Sequence, residues 1–96
     1  MATLKWDSKD PQEKLDYSLT WVKELSRLND TIFDSVWRIE DGDGALTTTG
    51  DGISGHVTYI WLQGGTAGST YKLVNTITTD DGRTYERTVL LPVVQR

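Results

Sequence analysis

Thr58-Tyr-Ile-Trp-Leu-Gln-Gly-Gly-Thr-Ala-Gly-Ser-Thr-Tyr71-Lys-Leu-Val-Asn-Thr-Ile-Thr-Thr79, then Asp80-Asp81-Gly82-Arg83, then Thr84 to Val94, is the stretch that decides the fold. Three β-rich segments are divided by two glycine-bearing turns, and no helical period runs through them. In the middle segment Tyr71, Leu73 and Ile77 share one parity; Lys72, Thr76 and Thr78 share the other, with Val74 the apolar exception. Side chains alternate across a strand, so this pattern predicts a core face and a solvent face. Asp81-Gly82 supplies the positive-φ residues of a tight hairpin. Val89, Leu91 and Val93 give the last segment its own apolar face. Pro92 within that segment places it at a sheet edge or a bulge, because proline has no ladder donor.

Working outward, the preceding segments repeat the pattern. Thr31 to Ile39 sets Phe33, Ser35, Trp37 and Ile39 on one face and Val36 on the other, with Trp37 as the candidate core tryptophan. Residues 12–28 read two ways. Asp10, Pro11 and Glu13 form a capping signature, and Leu15, Leu19, Val22 and Leu25 fit a helical stripe. Leu15, Tyr17, Leu19 and Trp21 also alternate strictly with polar residues, and aromatics favour strands. The β character of the rest of the chain selects a strand from about 15 to 21, with a short helical turn over Val22 to Leu28. Met1 to Ser8 carries Leu4 and Trp6 on one parity and suits a first strand, or an extended arm over residues 1–10. Residues 40–56 hold five glycines and four acids, which predicts a mobile loop flanking a short strand near Ala45–Thr49.

About seven short strands in 96 residues predict a single all-β domain over 1–96, an immunoglobulin-like antiparallel β-sandwich. Composition narrows the function. With no cysteine there is neither a disulfide nor a thiolate nucleophile. No leader pattern opens the chain and no apolar run approaches membrane-spanning length. The net charge is −4, with the acids concentrated before residue 57, and no Lys/Arg cluster offers a phosphate-binding face. Neither nucleic acid nor a membrane is an expected partner.

Catalytic and metal signals are weak. Asp41 and Asp43 resemble the start of a calcium loop, with Asp51 nearby, but Gly52 stands where the loop's closing glutamate belongs. The Gly64-Gly65-Thr66-Ala67-Gly68 run lacks the lysine of a phosphate loop and opens no helix. His56 is the only histidine and has neither ligand spacing nor a nucleophile-elbow serine to serve. Asp80-Asp81 reads as turn chemistry. No catalytic residue, cofactor or metal site is therefore assigned. The four tryptophans are heavier than one small core needs. Trp61 shares its parity with Val57 and Tyr59, while Ile60 and Leu62 claim the opposite face. An aromatic excess of this kind suits a protein–protein interface, and Leu4, Trp6, Trp21 and Trp61 are its candidate residues.

Trp61-Leu-Gln-Gly-Gly-Thr-Ala-Gly-Ser-Thr-Tyr71, Asn75-Thr-Ile-Thr-Thr79, Gly82-Arg83 and Glu86-Arg87, with Lys9-Asp10-Pro11, Leu15-Asp16-Tyr17 and Trp21 ahead of them, carry a resemblance over nearly the whole chain. The chain resembles small proteins of tailed bacteriophages and prophages described as fiber-tail adaptors. The acidic glycine stretch at 40–56 departs from the family pattern. The resemblance implies an immunoglobulin-like sandwich without enzymatic activity, located in the virion tail. Its implied partners are other tail proteins (a tail adaptor or nozzle, and a fiber) and further copies of itself in a symmetric assembly. It assigns no binding residues individually. A capsid decoration protein on the phage head is the competing reading.

Overall fold

A computed structural model describes residues 4–40 and 42–95. Seven strands and one short helix follow in order: β1 (Leu4–Lys5), β2 (Lys14–Thr20), α1 (Val22–Ser26), β3 (Ile32–Glu40), β4 (Leu46–Ser54), β5 (Val57–Gly64), β6 (Thr70–Thr79) and β7 (Thr84–Pro92). They form a four-stranded sheet, β1-β7-β6-β3, and a three-stranded sheet, β2-β5-β4. Every pairing is antiparallel except β1 with β7, where Leu4 lies beside Val89 and Lys5 beside Leu90. Numbered along the chain, β2-β5-β4 and β7-β6-β3 keep the order of the B-E-D and G-F-C strands of an immunoglobulin-type sandwich. The details differ: there is no disulfide, and the buried tryptophan is not on the third strand.

The core lies between the sheets. Leu19, Leu46, Ile60 and Leu62 come from one sheet and Tyr71, Leu73, Ile77, Val89 and Leu91 from the other, all below a tenth exposed. A polar thread crosses this core and is closed on itself. Trp21 Nε1 donates to Thr58 Oγ1 at 3.1 Å and to Asn75 Oδ1 at 3.3 Å. Thr58 donates to Asn75 at 2.7 Å, and Asn75 Nδ2 donates to Ser35 Oγ and the Val36 carbonyl. A satisfied network of this kind fixes the alignment of facing sheets, because any slip would leave buried polar groups unpaired.

Residues 12–28 resolve as the alternation predicts, a strand followed by one turn of helix. The capping residues still act. Asp10 Oδ1 accepts from the Gln12 amide, and Glu13 Oε1 accepts from the Asp10 amide. They close a turn at Pro11 that no helix continues. Helix α1 ends at Ser26, and the turn after it closes at Asn29, whose φ of 52° is the left-handed conformation that asparagine tolerates.

Four expectations are corrected. The glycine-rich stretch contains β4, nine residues long, in place of a mobile loop around a short strand. Gly52 faces Tyr59 across the ladder, and any Cβ there would collide with that ring, so the glycine makes room for it. Phe33 is turned off the core face by a bulge between Ile32 and Asp34 and is 71% exposed. Trp37 is only half-buried, packed against the core's margin, while Trp21 takes the centre at 1% exposed. Pro92 is at the last position of β7, an inner strand. Its carbonyl accepts from Lys9 N–H, so its nitrogen faces the β1 side, past the end of that two-residue strand.

Candidate docking surface

The four interface candidates do not form one patch. Leu4, on β1, is 40% exposed. Trp6, next along the same arm, is half-buried and bridges the two sheets. Its backbone N–H donates to the Leu90 carbonyl on β7 at 2.9 Å, and its indole N–H donates to the Ser18 carbonyl on β2 at 3.2 Å. Its ring stacks on Tyr17 at 4.7 Å and lies 5.8 Å from Trp37. The arm is therefore bound to its own sandwich at Trp6, with Leu4 left at the surface.

Trp21 is a correction. Interface aromatics must be reachable, and this ring is enclosed between Leu25, Tyr85 and the polar thread. Arg87 caps it with its guanidinium carbon 4.3 Å from the ring centroid. The same guanidinium donates to the Thr20 carbonyl and to both Glu24 oxygens, at 2.7 and 2.8 Å. Trp21 holds the fold and offers nothing to a partner.

Trp61 lies on the outer face of β2-β5-β4, 40% exposed, beside Asp16 on β2 and Gly50 on β4. Ile60 and Leu62 fill the inner face as their parity requires. Gly50 has no Cβ to cover the indole from that side, and Tyr59 lies two residues away over Gly52. This gives a bare aromatic strip on an otherwise polar sheet face. On the opposite sheet, Phe33 and Val36, 71% and 55% exposed, make a second apolar spot on edge strand β3. Sequence reasoning missed Phe33 because alternation cannot show a bulge; Val36 was legible as the apolar residue on the solvent parity.

The motif from Trp61 to Tyr71 is mostly architecture. Gly64 and Gly65 adopt φ of 80° and 101°, and a Cβ at Gly64 would collide with the Ala45 carbonyl that Gly65 N–H uses. Lys9 is fully buried below this crossing, its ammonium donating to the carbonyls of Gly64 at 2.7 Å and Asp10 at 2.9 Å. Burial lowers its pKa, although Glu13 and Asp10 pull the other way. Asp43 closes the loop: it accepts from Thr66 Oγ1 at 2.6 Å, Tyr71 Oη at 2.9 Å and the Ala45 amide at 3.0 Å. The hydrogen bonds from Thr66, Ala45 and Tyr71 hold its carboxyl below the usual range.

The Asp80–Gly82 turn is anchored in a similar way. Burial would raise the Asp30 carboxyl, but hydrogen bonds from Thr79, the Thr31 and Asp81 amides and Arg83 outweigh it and keep the pKa low. Asp80 accepts from the Thr31 hydroxyl, so the Asp80-Asp81 pair does turn work. Asp41 of the calcium-like triplet lies outside the described residues. Among those described, no three His, Cys, Asp or Glu side chains gather as metal ligands, and no helix is long and apolar enough to cross a membrane.

A family model described as podophage GP4 fiber-tail adaptor protein gp77 matches residues 9–92, most of the chain. No curated protein matches significantly. The chain belongs to this fiber-tail adaptor family, which makes it a structural component of the phage tail and disfavours the head-decoration reading.

Proposed function

We propose that this chain is a non-enzymatic joint that holds a fiber on the tail, in several copies arranged around the tail axis. Its family membership over residues 9–92 is the observation that carries this reading. Recognition without chemistry needs surface, and two kinds are available. The Trp61 strip offers a large, rigid indole at low entropic cost on a flat sheet face. The arm offers Leu4 at the margin of β7, with Trp6 fastening it from below. These lie on different sides of the sandwich, an arrangement suited to a connector that must touch two neighbours at once. Repetition around a symmetric tail lets modest single contacts add by avidity.

Disrupting the gene and imaging the particles tests this. Full heads with assembled tails but no fibers are expected. Fibers in place on particles lacking the protein would overturn the reading.

A further inference from the structure

Asp7, on the arm, and Asp16, on β2, line one shallow depression of about 520 Å³ whose wall is the stacked pair of Trp6 and Tyr17. Both acids are exposed. Among the described residues neither carboxylate makes an ion pair or a hydrogen bond, although Lys5 and Lys14 lie two residues from them. Asp16 is also the register partner of Trp61 on β5. The depression therefore borders the Trp61 strip, and together they make one surface that is aromatic and negatively charged. A guanidinium suits such a surface, because its flat face stacks on an aromatic ring and its forked donors fit carboxylates.

The chain carries a matching surface beyond the other end of β2. Helix α1 runs out into Arg27 and Leu28, both exposed, Leu28 at 38%. Arg38, Arg83 and Arg87 each hold a carboxylate. Arg27 is the arginine left without one among the described residues, and Lys23, one turn earlier, is unpaired as well. Four residues of β2, about 13 Å, and the whole of α1 separate Asp16 from Arg27, and no ion pair joins the two within the chain. A base beside an apolar side chain thus stands at one place on the molecule, and acids beside an indole at another.

We infer that Arg27 and Leu28 of one copy dock on the Trp61 face of the next copy. The guanidinium lies between Asp7 and Asp16 against the Trp6–Tyr17 wall, and the leucine covers the Trp61 indole. The inference rests on the part of the adaptor reading that sets several copies around the tail. The two surfaces are different, so the contact runs head to tail, and a constant rotation between copies closes it into a ring. The rim stays open to water, which keeps the desolvation cost of the charges low, while Leu28 on Trp61 supplies the apolar burial.

The chain has no cysteine, so Ser26→Cys and Gln63→Cys, both at exposed positions, set single thiols beside the two halves of the contact without removing a residue that makes it. A gene-disrupted phage is complemented with the full-length chain carrying both, and its particles are treated with a short bismaleimide. A ladder of linked dimers, trimers and longer products is expected on a denaturing gel, with monomer alone from either single variant. Dimers from a single variant overturn the inference. So does the lack of a ladder from the doubly substituted chain in tails, which would show that a different tail or fiber protein covers the Trp61 face. Adding Arg27→Glu, at an exposed position, is expected to leave the fold intact and to cut the linked product about tenfold, the scale of one charge-assisted hydrogen bond. Undiminished linking overturns the inference too. If the chain is missing from tails, or fibers persist on particles without it, the adaptor reading fails and the concentrated purified chain decides the contact: the same ladder supports it, and monomer alone overturns it.

Discussion

Replacing Trp21 with alanine tests the assignment of this residue to the core. Truncating a buried aromatic costs about 3–5 kcal/mol through lost transfer energy and the cavity left behind. The indole donor is lost too, but Asn75 Oδ1 still accepts from Thr58, so no buried acceptor is orphaned and this loss adds little. The Arg87 guanidinium loses its ring, a further 0.5–1 kcal/mol or about that at a half-buried site. The sum, about 4–6 kcal/mol, rivals the whole stability of a marginal small domain. Trp61→Ala, on an outer face, should cost under about 1 kcal/mol. Urea unfolding followed by far-UV circular dichroism measures both, provided the slope is unchanged. Should Trp21→Ala leave no folded baseline, Trp21→Phe keeps a ring and a measurable transition. A Trp21→Ala loss below about 2 kcal/mol, or a Trp61→Ala loss as large as that of Trp21, would refute the reasoning.

Gly64→Ala should destabilise by more than the roughly 1–3 kcal/mol of a strained backbone, because the added methyl also meets the Ala45 carbonyl. Gly68→Ala, at φ 91° with open space around it, should show the strain alone, and equal losses in thermal melts would contradict this. The folded-state pKa values of Asp30 and Asp43 lie below the ordinary 3.8, so the unfolded chain takes up these protons first. Their stabilisation is complete above about pH 4 and is lost as pH falls through the depressed values. Urea midpoints at pH 7, 4 and 3 should drop in the acid, and Asp43→Asn should flatten part of the drop. Lys9 gives a slope of the same sign at the alkaline end: its folded pKa lies below 10.5, so the unfolded chain holds this proton longer and stability should rise as pH climbs toward that value. A chelator should leave the melting temperature unchanged, since Asp43 is occupied by Thr66, Tyr71 and Ala45; a calcium-dependent rise would contradict that assignment.

Alternation made β2, β5, β6 and β7 legible because each has one buried and one wet face, and parity alone sent Ile60 and Leu62 inward and Trp61 outward. The hairpin at Asp81-Gly82 was legible from turn chemistry, although only Gly82, at φ 88°, takes the positive φ expected of both residues. What failed were the places where one residue breaks the count. The bulge that exposes Phe33 leaves no trace in residue type. β4 was hidden because Gly50 and Gly52, read as loop, serve Tyr59 on the neighbouring strand, a relation visible only after pairing. Trp21 and Trp37 exchanged roles for a similar reason. Both sit on apolar parity, and only the polar thread through Thr58 and Asn75 shows which ring the sheets enclose. Surface and core aromatics look alike in a sequence, so the docking surface was the least legible part.

An electron cryomicroscopy map of the intact virion, with this chain built into it, tests the central claim most directly. The account predicts density for the sandwich between the tail and a fiber, in several symmetry-related copies, with Trp61 and Leu4 facing different neighbours. Copies spread over the capsid shell, with the fibers joined to the tail by another protein, would contradict it.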